Sequence, residues 1–147
     1  MLSAPEGGEE LDREGGRVRV LVVEDEFVVS LSLQLQLEAA GCEVVATARE
    51  AGAAVELAQA LRPDVVLMDI GLPGESGVEA TREIMLLAPT RVILVTAYSD
   101  ERVQRALEAG ARAVLTKPIR EEQLARAIAV VLSEGGGGPC ASAPEKE

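Results

Sequence analysis

The chain has 147 residues, of which 48% are apolar, 14 are basic and 25 are acidic, and it contains no histidine. This length predicts one folded domain, whose core must be aliphatic because Phe27 and Tyr98 are the only aromatic residues. The net charge of −11 argues against nucleic-acid binding, which requires clustered Lys and Arg. The lack of histidine excludes a Ser-His-Asp triad, a His-ligated zinc and a phosphohistidine formed on this chain.

Both ends of the chain have compositions typical of disorder. We expect a disordered acidic arm at 1–16, one folded domain at 17–134 and a disordered Gly- and Pro-rich tail at 135–147, without room for a DNA-binding output module. No apolar run approaches the roughly 18 residues of a membrane span, and no signal peptide opens the chain. The predicted location is therefore the cytoplasm, and Cys42 and Cys140 are expected to be unpaired thiols in a reducing compartment rather than a disulfide.

Between these ends, apolar runs alternate with segments of helical periodicity. Strands are predicted at 18–23, 43–47, 65–68, 92–95 and 113–116. Helices are predicted at 27–40, 50–61, 76–87, 99–109 and 120–133. Strands that alternate with helices require right-handed crossovers. The predicted fold class is therefore α/β, a doubly wound five-stranded parallel sheet with helices on both faces.

Several helix ends carry their own signals. Gly41 and Gly110 suit the position just after a helix, Ser76 begins a capping-box pattern, and Ser99 is a candidate N-cap. Residues 31–37 alternate leucine with polar residues, which is typical of a strand. We nevertheless predict a helix there, because a strand would break the alternation of strands and helices.

Polar groups follow four of the five predicted strands directly. They are Glu24 and Asp25, then Asp69, then Thr96 and Ala97, then Lys117 and Pro118. The carboxyl ends of parallel strands meet at one edge of an open sheet, where ligands bind. Clustered carboxylates repel one another, and a hard divalent cation with oxygen ligands relieves that repulsion. The pattern therefore predicts a Mg²⁺-dependent site that accepts a phosphoryl group, a reaction that needs positioning and charge neutralisation.

Over about residues 17–133, the order and spacing of these motifs closely resemble the receiver domain of bacterial two-component response regulators, and Leu72-Pro73 and Gly77 fit the same pattern. The resemblance implies the flavodoxin-like strand order 2-1-3-4-5. It also implies that Asp69 is the phosphoacceptor, which attacks the phosphorus of a partner's phosphohistidine with the help of Thr96 and Lys117. The implied phosphoryl-binding groups are Thr96, Ala97 and Lys117, and the implied Mg²⁺ ligands are Glu24, Asp25, Asp69 and the carbonyl of Gly71. The peptide bond before Pro118 would be cis.

The chain departs from the family pattern at the switch positions. The position three residues before the lysine is usually aromatic in the family, and here it is Val114. We therefore assign switching to Thr96, Tyr98 and Val114 without the ring movement that an aromatic residue would supply. Gly71 and Tyr98 occupy the two variable positions that influence how long the phosphoryl group survives in the family.

The predicted helix 27–40 carries two apolar stripes, although one buried face needs only one. Matching the chain to the family places Val29, Leu33 and Leu37 inward and leaves Phe27, Leu31 and Leu35 exposed. With Pro118, these exposed residues are candidates for docking a sensor histidine kinase or a histidine phosphotransfer protein. A homodimer contact, or no role at all, is the alternative.

The predicted function is a response regulator receiver that signals to a downstream effector protein through a phosphorylation-dependent surface change. We expect a signalling switch rather than an enzyme, a monomer or weak homodimer, and no binding to nucleic acid or membrane. A haloacid-dehalogenase-like phosphatase is an alternative, but it needs a second aspartate where this chain has Gly71. A flavodoxin-like flavin carrier is another, but the acidic residues 24–26 would repel its phosphate.

Overall fold

The computed structural model describes residues 12–13, 16–73, 76–97 and 100–133. Its elements in chain order are β1 (Asp12–Arg13), β2 (Gly16–Arg17), β3 (Arg19–Val23), α1 (Phe27–Ala39), β4 (Glu43–Ala48), α2 (Ala51–Leu61), β5 (Val65–Asp69), α3 (Ser76–Leu87), β6 (Arg91–Thr96), α4 (Glu101–Glu108), β7 (Ala113–Thr116) and α5 (Glu121–Ser133). Each of the predicted strands and helices is present with ends that differ by at most two residues. No helix in these ranges is long and apolar enough to cross a bilayer.

The central sheet has five parallel strands in the order β4-β3-β5-β6-β7. Numbered among themselves, these strands follow the predicted order 2-1-3-4-5, which confirms the doubly wound α/β fold. Strand β5 lies at the centre, and all five of its residues are buried. A strand covered on both faces has no polar side to show to water, which is why its sequence is a continuous apolar run that ends in Asp69.

Alternate residues of each strand contribute to two aliphatic cores, one on each face of the sheet. Leu21 and Val23 face a core completed by α2, α3 and α4, whereas Val20 and Val22 face a core completed by α1 and α5. Neither core contains an aromatic residue among the described residues, as the composition predicted. The helices on opposite faces leave the carboxyl ends of the strands open for a site.

The ends of α1 and α4 show where local signals were correct and where they were not. Alternating residues 31–37 are helical, as predicted, and Gly41 (φ 90°) and Gly110 (φ 126°) adopt the left-handed conformations expected just after a helix. The N-cap of α4 is Asp100 rather than Ser99, because the Asp100 side chain accepts a hydrogen bond from the amide of Arg102. A capping box at Ser76 requires Ser76 to precede the first helical residue, but Ser76 is itself the first residue of α3.

The N-terminal arm predicted to be disordered at 1–16 contains three residues with regular structure, Asp12, Arg13 and Gly16. Asp12 and Arg13 pair in antiparallel fashion with Arg17 and Gly16, which makes a small separate two-stranded sheet. The rest of the predicted arm and the tail at 135–147 lie outside the described residues, as does Cys140, while Cys42 is buried in the α1/α5 core.

Candidate functional site

Three carboxylates meet where β3 and β5 end. Oxygen atoms of Glu24, Asp25 and Asp69 all lie within 4.8 Å of one another. Backbone hydrogen bonds hold the strand ends side by side: the amide of Glu24 donates to the carbonyl of Ala48 at 3.0 Å, and the amide of Ile70 donates to the carbonyl of Val95 at 2.9 Å. The sequence prediction that these acids converge at one sheet edge is therefore correct.

Lys117 brings a positive charge into this acidic cluster. Its Nζ lies 3.2 Å from Oε1 of Glu24 and 3.8 Å from Oδ1 of Asp69. The backbone places the side chain there, because the amide of Lys117 donates to the carbonyl of Thr96 at 2.7 Å and joins the ends of β6 and β7. The Lys117–Pro118 peptide bond is cis, as the resemblance implied.

Glu24 is the most deeply buried member of the cluster, with 1% of its surface exposed. The pKa of its carboxyl is raised from 4.5 to about 7. Burial is the largest cause and the charge of Asp69 the next, while the hydrogen bond from the amide of Glu26 and the charge of Lys117 act in the opposite direction. The raised pKa reflects the free-energy cost of placing several carboxylates close together where water solvates them poorly. A group in this condition is typical of a site that binds a cation.

Two glycines shape the surroundings of Asp69. The amide of Gly71 donates to Oδ1 of Asp69 at 2.8 Å, which fixes one carboxylate oxygen. A Cβ at Gly77 would lie 2.9 Å from the carbonyl oxygen of Asp69 and 3.2 Å from the Cα of Ile70. Gly77 therefore lets α3 approach the end of β5 closely, a role that the sequence motif did not explain.

The predicted phosphoryl-binding and switch residues occupy the β6 and β7 side of the site. Thr96 is buried at the end of β6, and Ala97 is exposed just beyond it. Val114 is half-buried and packs against the core formed by α2, α3 and α4. Tyr98, the remaining predicted switch residue, lies outside the described residues.

The donor set fits Mg²⁺. Oxygen atoms of carboxylates are the ligands that this hard cation prefers, and three of them lie within reach of one centre. Oε1 of Glu24 is buried and has no hydrogen-bond partner, so a cation would satisfy an oxygen that now has only its ion pair with Lys117. The predicted ligands Glu24, Asp25 and Asp69 are thus brought together, with Gly71 adjacent to Asp69.

An open groove of about 480 Å³ begins at Asp25. It runs between the starts of α2 and α3, and its lining residues are Asp25, Arg49, Glu50, Ala51, Leu72, Pro73 and Ser76. Arg49 lies at the edge of the acidic cluster, where its Nη2 donates to the carbonyl oxygen of Asp25 at 3.3 Å. The sequence prediction missed Arg49, although it directly follows a strand in the same way as the residues that were identified.

Arg102 is a second residue that the sequence did not single out. It forms a 2.8 Å ion pair with Asp100, and its Nη1 donates to the carbonyl of Leu72 at 3.1 Å. It thereby ties the start of α4 to the loop that follows Asp69. Only the folded chain brings these positions together, since they lie 30 residues apart in the sequence.

The predicted docking residues form an exposed apolar surface on α1. Phe27, Leu31 and Leu35 are 72%, 42% and 59% exposed, while Leu33 and Leu37 are buried. The inward and outward faces are therefore as predicted, and the equally exposed Val28 extends the surface. The side-chain amide of Gln36 donates to the carbonyl of Ile119, which places α1 beside the exposed Pro118.

Comparisons with known proteins agree on one family. Residues 20–129 match the model of the response regulator receiver domain. The chain is 38% identical over 116 residues to the transcriptional regulatory protein PdtaR of Mycobacterium tuberculosis (strain CDC 1551 / Oshkosh), and the match covers 78% of this chain and 57% of PdtaR. It is 35% identical over 116 residues to protein CcdB of Bacillus subtilis (strain 168), with 78% of this chain and 97% of CcdB covered.

A solved structure shows the same architecture. The CheY-like response regulator receiver domain protein from Methanospirillum hungatei JF-1 superposes with a TM-score of 0.74 at 31% identity, covering 81% of this chain and 96% of that one. The chain spans little more than half of PdtaR, so the likeness concerns the domain rather than the activity of that whole protein. The family model covers most of the described residues, including the whole central sheet except Arg19 at the start of β3. The chain therefore belongs to the response regulator receiver domain family.

Proposed function

We propose that this receiver domain takes a phosphoryl group from a partner's phosphohistidine onto Asp69, with Mg²⁺ bound at Glu24, Asp25, Asp69 and Gly71. The observation that carries the proposal is the position of Asp69, which is only 4% exposed and lies between a carboxylate cluster and the ammonium group of Lys117. A carboxylate placed in this way is accessible to one reactant at the open sheet edge and is shielded elsewhere by protein.

Each residue around Asp69 has a distinct part in the proposed reaction. The amide of Gly71 holds Oδ1 of Asp69, which leaves the other carboxylate oxygen to attack phosphorus. Phosphoryl transfer spreads negative charge over the three oxygens of the transferred group. We assign one of these oxygens to Lys117, whose Nζ lies 3.8 Å from Oδ1 of Asp69, and the others to the hydroxyl of Thr96, which ends β6, and the amide of Ala97, which follows it.

Bound Mg²⁺ supplies further positive charge for the same oxygens and relieves the repulsion among the three carboxylates. Lys117 now pairs with Glu24 at 3.2 Å. A cation held by Glu24 would neutralise its charge, which would leave Lys117 free to pair with the phosphoryl group. The phosphoryl group and Glu24 thus compete for the ammonium group of Lys117. Because Lys117 is bonded to the end of β6 and directly follows β7, this competition links phosphorylation to a change in the ends of both strands.

Receiver domains interact with histidine kinases or phosphotransfer proteins and with effectors. We assign the partner's docking to the exposed surface formed by Phe27, Val28, Leu31 and Leu35 on α1, together with Pro118. Exposed apolar side chains beside an acceptor group suit recognition of a helix that carries the phosphohistidine. The output is a surface change read by a separate protein.

The test uses acetyl phosphate and Mg²⁺ with mass spectrometry of the intact protein. We expect a single added phosphoryl group, which is lost in Asp69→Asn and when the metal is chelated. Asp100→Asn is the matched control, because Asn caps a helix as well as Asp does and should leave labelling intact. Labelling that persists in Asp69→Asn would refute the assignment of the acceptor.

A further inference from the structure

We propose that Arg102 is a positioning residue for the metal site: it holds the loop that carries the Gly71 carbonyl, and it thereby links Mg²⁺ binding to the start of α4. This inference rests on the proposed function, because Gly71 is one of the ligands assigned there to Mg²⁺. It assigns no contact between Arg102 and the metal or the phosphoryl group.

The carbonyl of Gly71 belongs to a peptide group that lies between two anchored peptide groups. On one side, the amide of Gly71 donates to Oδ1 of Asp69 at 2.8 Å. On the other side, the carbonyl of Leu72 accepts a hydrogen bond from Nη1 of Arg102 at 3.1 Å. The middle peptide group donates through the Leu72 amide to the Asp69 carbonyl at 3.5 Å.

These contacts set the direction of the Gly71 carbonyl. Because the N–H and C=O of a trans peptide point in opposite directions, the Gly71 carbonyl points away from the backbone carbonyl of Asp69. The middle hydrogen bond is long and therefore weak, so the orientation of this peptide group depends on its two anchored neighbours. Loss of the Arg102 anchor would let the peptide group rotate.

The guanidinium of Arg102 suits this task because its other nitrogens are fixed by Asp100. Nη2 donates to Oδ2 of Asp100 at 2.8 Å, and Nε donates to Oδ1 at 3.1 Å. These hydrogen bonds lower the pKa of the Asp100 carboxyl to about 2, so both partners are charged at neutral pH. A planar guanidinium held at two points has little freedom to rotate, which keeps Nη1 directed at the Leu72 carbonyl.

The same contacts connect the metal site to α4. Asp100 is the N-cap of α4 and accepts from the amide of Arg102 at 2.9 Å, so the side chain that holds the loop is anchored to the first turn of the helix. A cation bound at Gly71 fixes the loop, and the fixed loop in turn holds Arg102. By thermodynamic reciprocity, a movement of α4 that breaks the hydrogen bond to Leu72 weakens Mg²⁺ binding by the same factor by which Mg²⁺ opposes that movement.

Charge and geometry make opposite predictions for the loss of Arg102. Arg102→Gln removes a positive charge and leaves the negative charge of Asp100 without its 2.8 Å ion pair, so electrostatics alone would strengthen the binding of a cation. Loss of a group that orients a metal ligand weakens binding instead. The direction of the change in Kd therefore separates the two effects.

The experiment measures the Kd for Mg²⁺ by isothermal titration calorimetry of the full chain in the wild type, in Arg102→Gln and in Arg102→Met. We expect both variants to raise the Kd about tenfold, the lower end of the effect of losing such an orienting group. Labelling by acetyl phosphate should need correspondingly more Mg²⁺ but reach the wild-type rate at saturation, since Asp69 and Lys117 are unchanged. Arg82→Gln is the matched control: it removes the same charge from an exposed position on α3, a helix on the same face of the sheet, and should not raise the Kd.

Amide hydrogen exchange provides a readout that a merely structural role would not change. In the wild type, Mg²⁺ should slow exchange at the start of α4, including the Val103 amide, which donates to the carbonyl of Asp100. In Arg102→Gln this effect of Mg²⁺ should be lost, whatever the stability of the metal-free variant. An unchanged or lowered Kd in both Arg102 variants, or an undiminished effect of Mg²⁺ on exchange, would overturn the assignment.

The wild type distinguishes failure of this inference from failure of the proposed function. If the wild type binds Mg²⁺ and is labelled at Asp69 while the Arg102 variants behave in the same way, only the positioning role fails. If the wild type neither binds Mg²⁺ nor is labelled, the proposed function itself fails, and this inference fails with it.

Discussion

Glu24 couples the site to pH. Its raised pKa means that the folded protein keeps a proton between pH 4.5 and about pH 7 that the unfolded chain has lost. The folded state therefore binds more protons in this window, so the stability of the metal-free domain falls as pH rises through it. The loss corresponds to up to about 3 kcal/mol, since each pKa unit is worth about 1.4 kcal/mol. Mg²⁺ binds the ionised carboxyl, so its stabilising effect should grow over the same range.

Thermal unfolding with a chelator present, from about pH 5 to about pH 8, measures this effect. We expect a smaller decrease in Glu24→Gln than in the wild type, because a glutamine cannot ionise. In the wild type with saturating Mg²⁺ the decrease should be much smaller, because the metal-bound carboxyl is ionised in the folded state as it is in the unfolded state. The same pH dependence in the wild type and in Glu24→Gln would show that another group is responsible.

Position 77 has no room for a residue larger than glycine beside the backbone of Asp69. Because an added Cβ would lie 2.9 Å from the backbone carbonyl of Asp69, α3 or the end of β5 must shift to accommodate it. We expect Gly77→Ala to reduce the free energy of unfolding by about 1–3 kcal/mol, as for overpacking, and to weaken fluoroberyllate binding. Gly52→Ala on α2 is the control: a Cβ there meets nothing within 4 Å, so the change should stabilise the protein by about 0.5–1 kcal/mol. Denaturant titration of both variants makes the comparison.

At the scale of single elements, α1 has two separate tasks. Its inner stripe, with Leu33 and Leu37, is buried in the α1/α5 core, and its outer stripe has no covering neighbour among the described residues. We expect Leu31→Glu to slow phosphotransfer from a histidine kinase or phosphotransfer protein that phosphorylates the wild type. Labelling by acetyl phosphate should stay unchanged, and the free energy of unfolding should change by less than about 1 kcal/mol.

Leu33→Glu provides the contrast, because it places a charge in the core and should unfold or strongly destabilise the domain. A large loss of stability in Leu31→Glu would contradict the assignment of the two faces. Phosphotransfer at the wild-type rate by a stable Leu31→Glu would instead contradict the docking role.

At the scale of the whole molecule, we propose that switching is a shift between two arrangements of the β6 and β7 side. A phosphoryl group that binds the active arrangement about 100-fold better supplies only about 2.7 kcal/mol, so a minor active state must exist beforehand. The hydrogen bond from Lys117 to the Thr96 carbonyl joins these strand ends, and Val114 packs into the core beneath α4. We therefore expect amide chemical shifts induced by fluoroberyllate to concentrate between residues 96 and 117. Changes confined to β3, β4, β5 and α1–α3 would count against this mechanism.

The sequence by itself determined the alternation of strands and helices, because burial of a strand on both faces demands a continuous apolar run such as Val65–Met68. It also determined the convergence of Glu24, Asp25, Asp69 and Lys117, because parallel strands bring their carboxyl ends to one edge of the sheet. The cis bond before Pro118 and the strand order followed from family resemblance rather than from local physics.

Only the tertiary structure decided the features that depend on contacts between distant segments. The raised pKa of Glu24 requires its burial beside Asp69, and the need for glycine at position 77 arises from the approach of α3 to β5. The groove with Arg49 exists because the starts of two helices and the end of β4 meet beside Asp25. Periodicity reports which face of an element is buried, but it does not report what lies opposite that face, since that depends on how separate elements pack together.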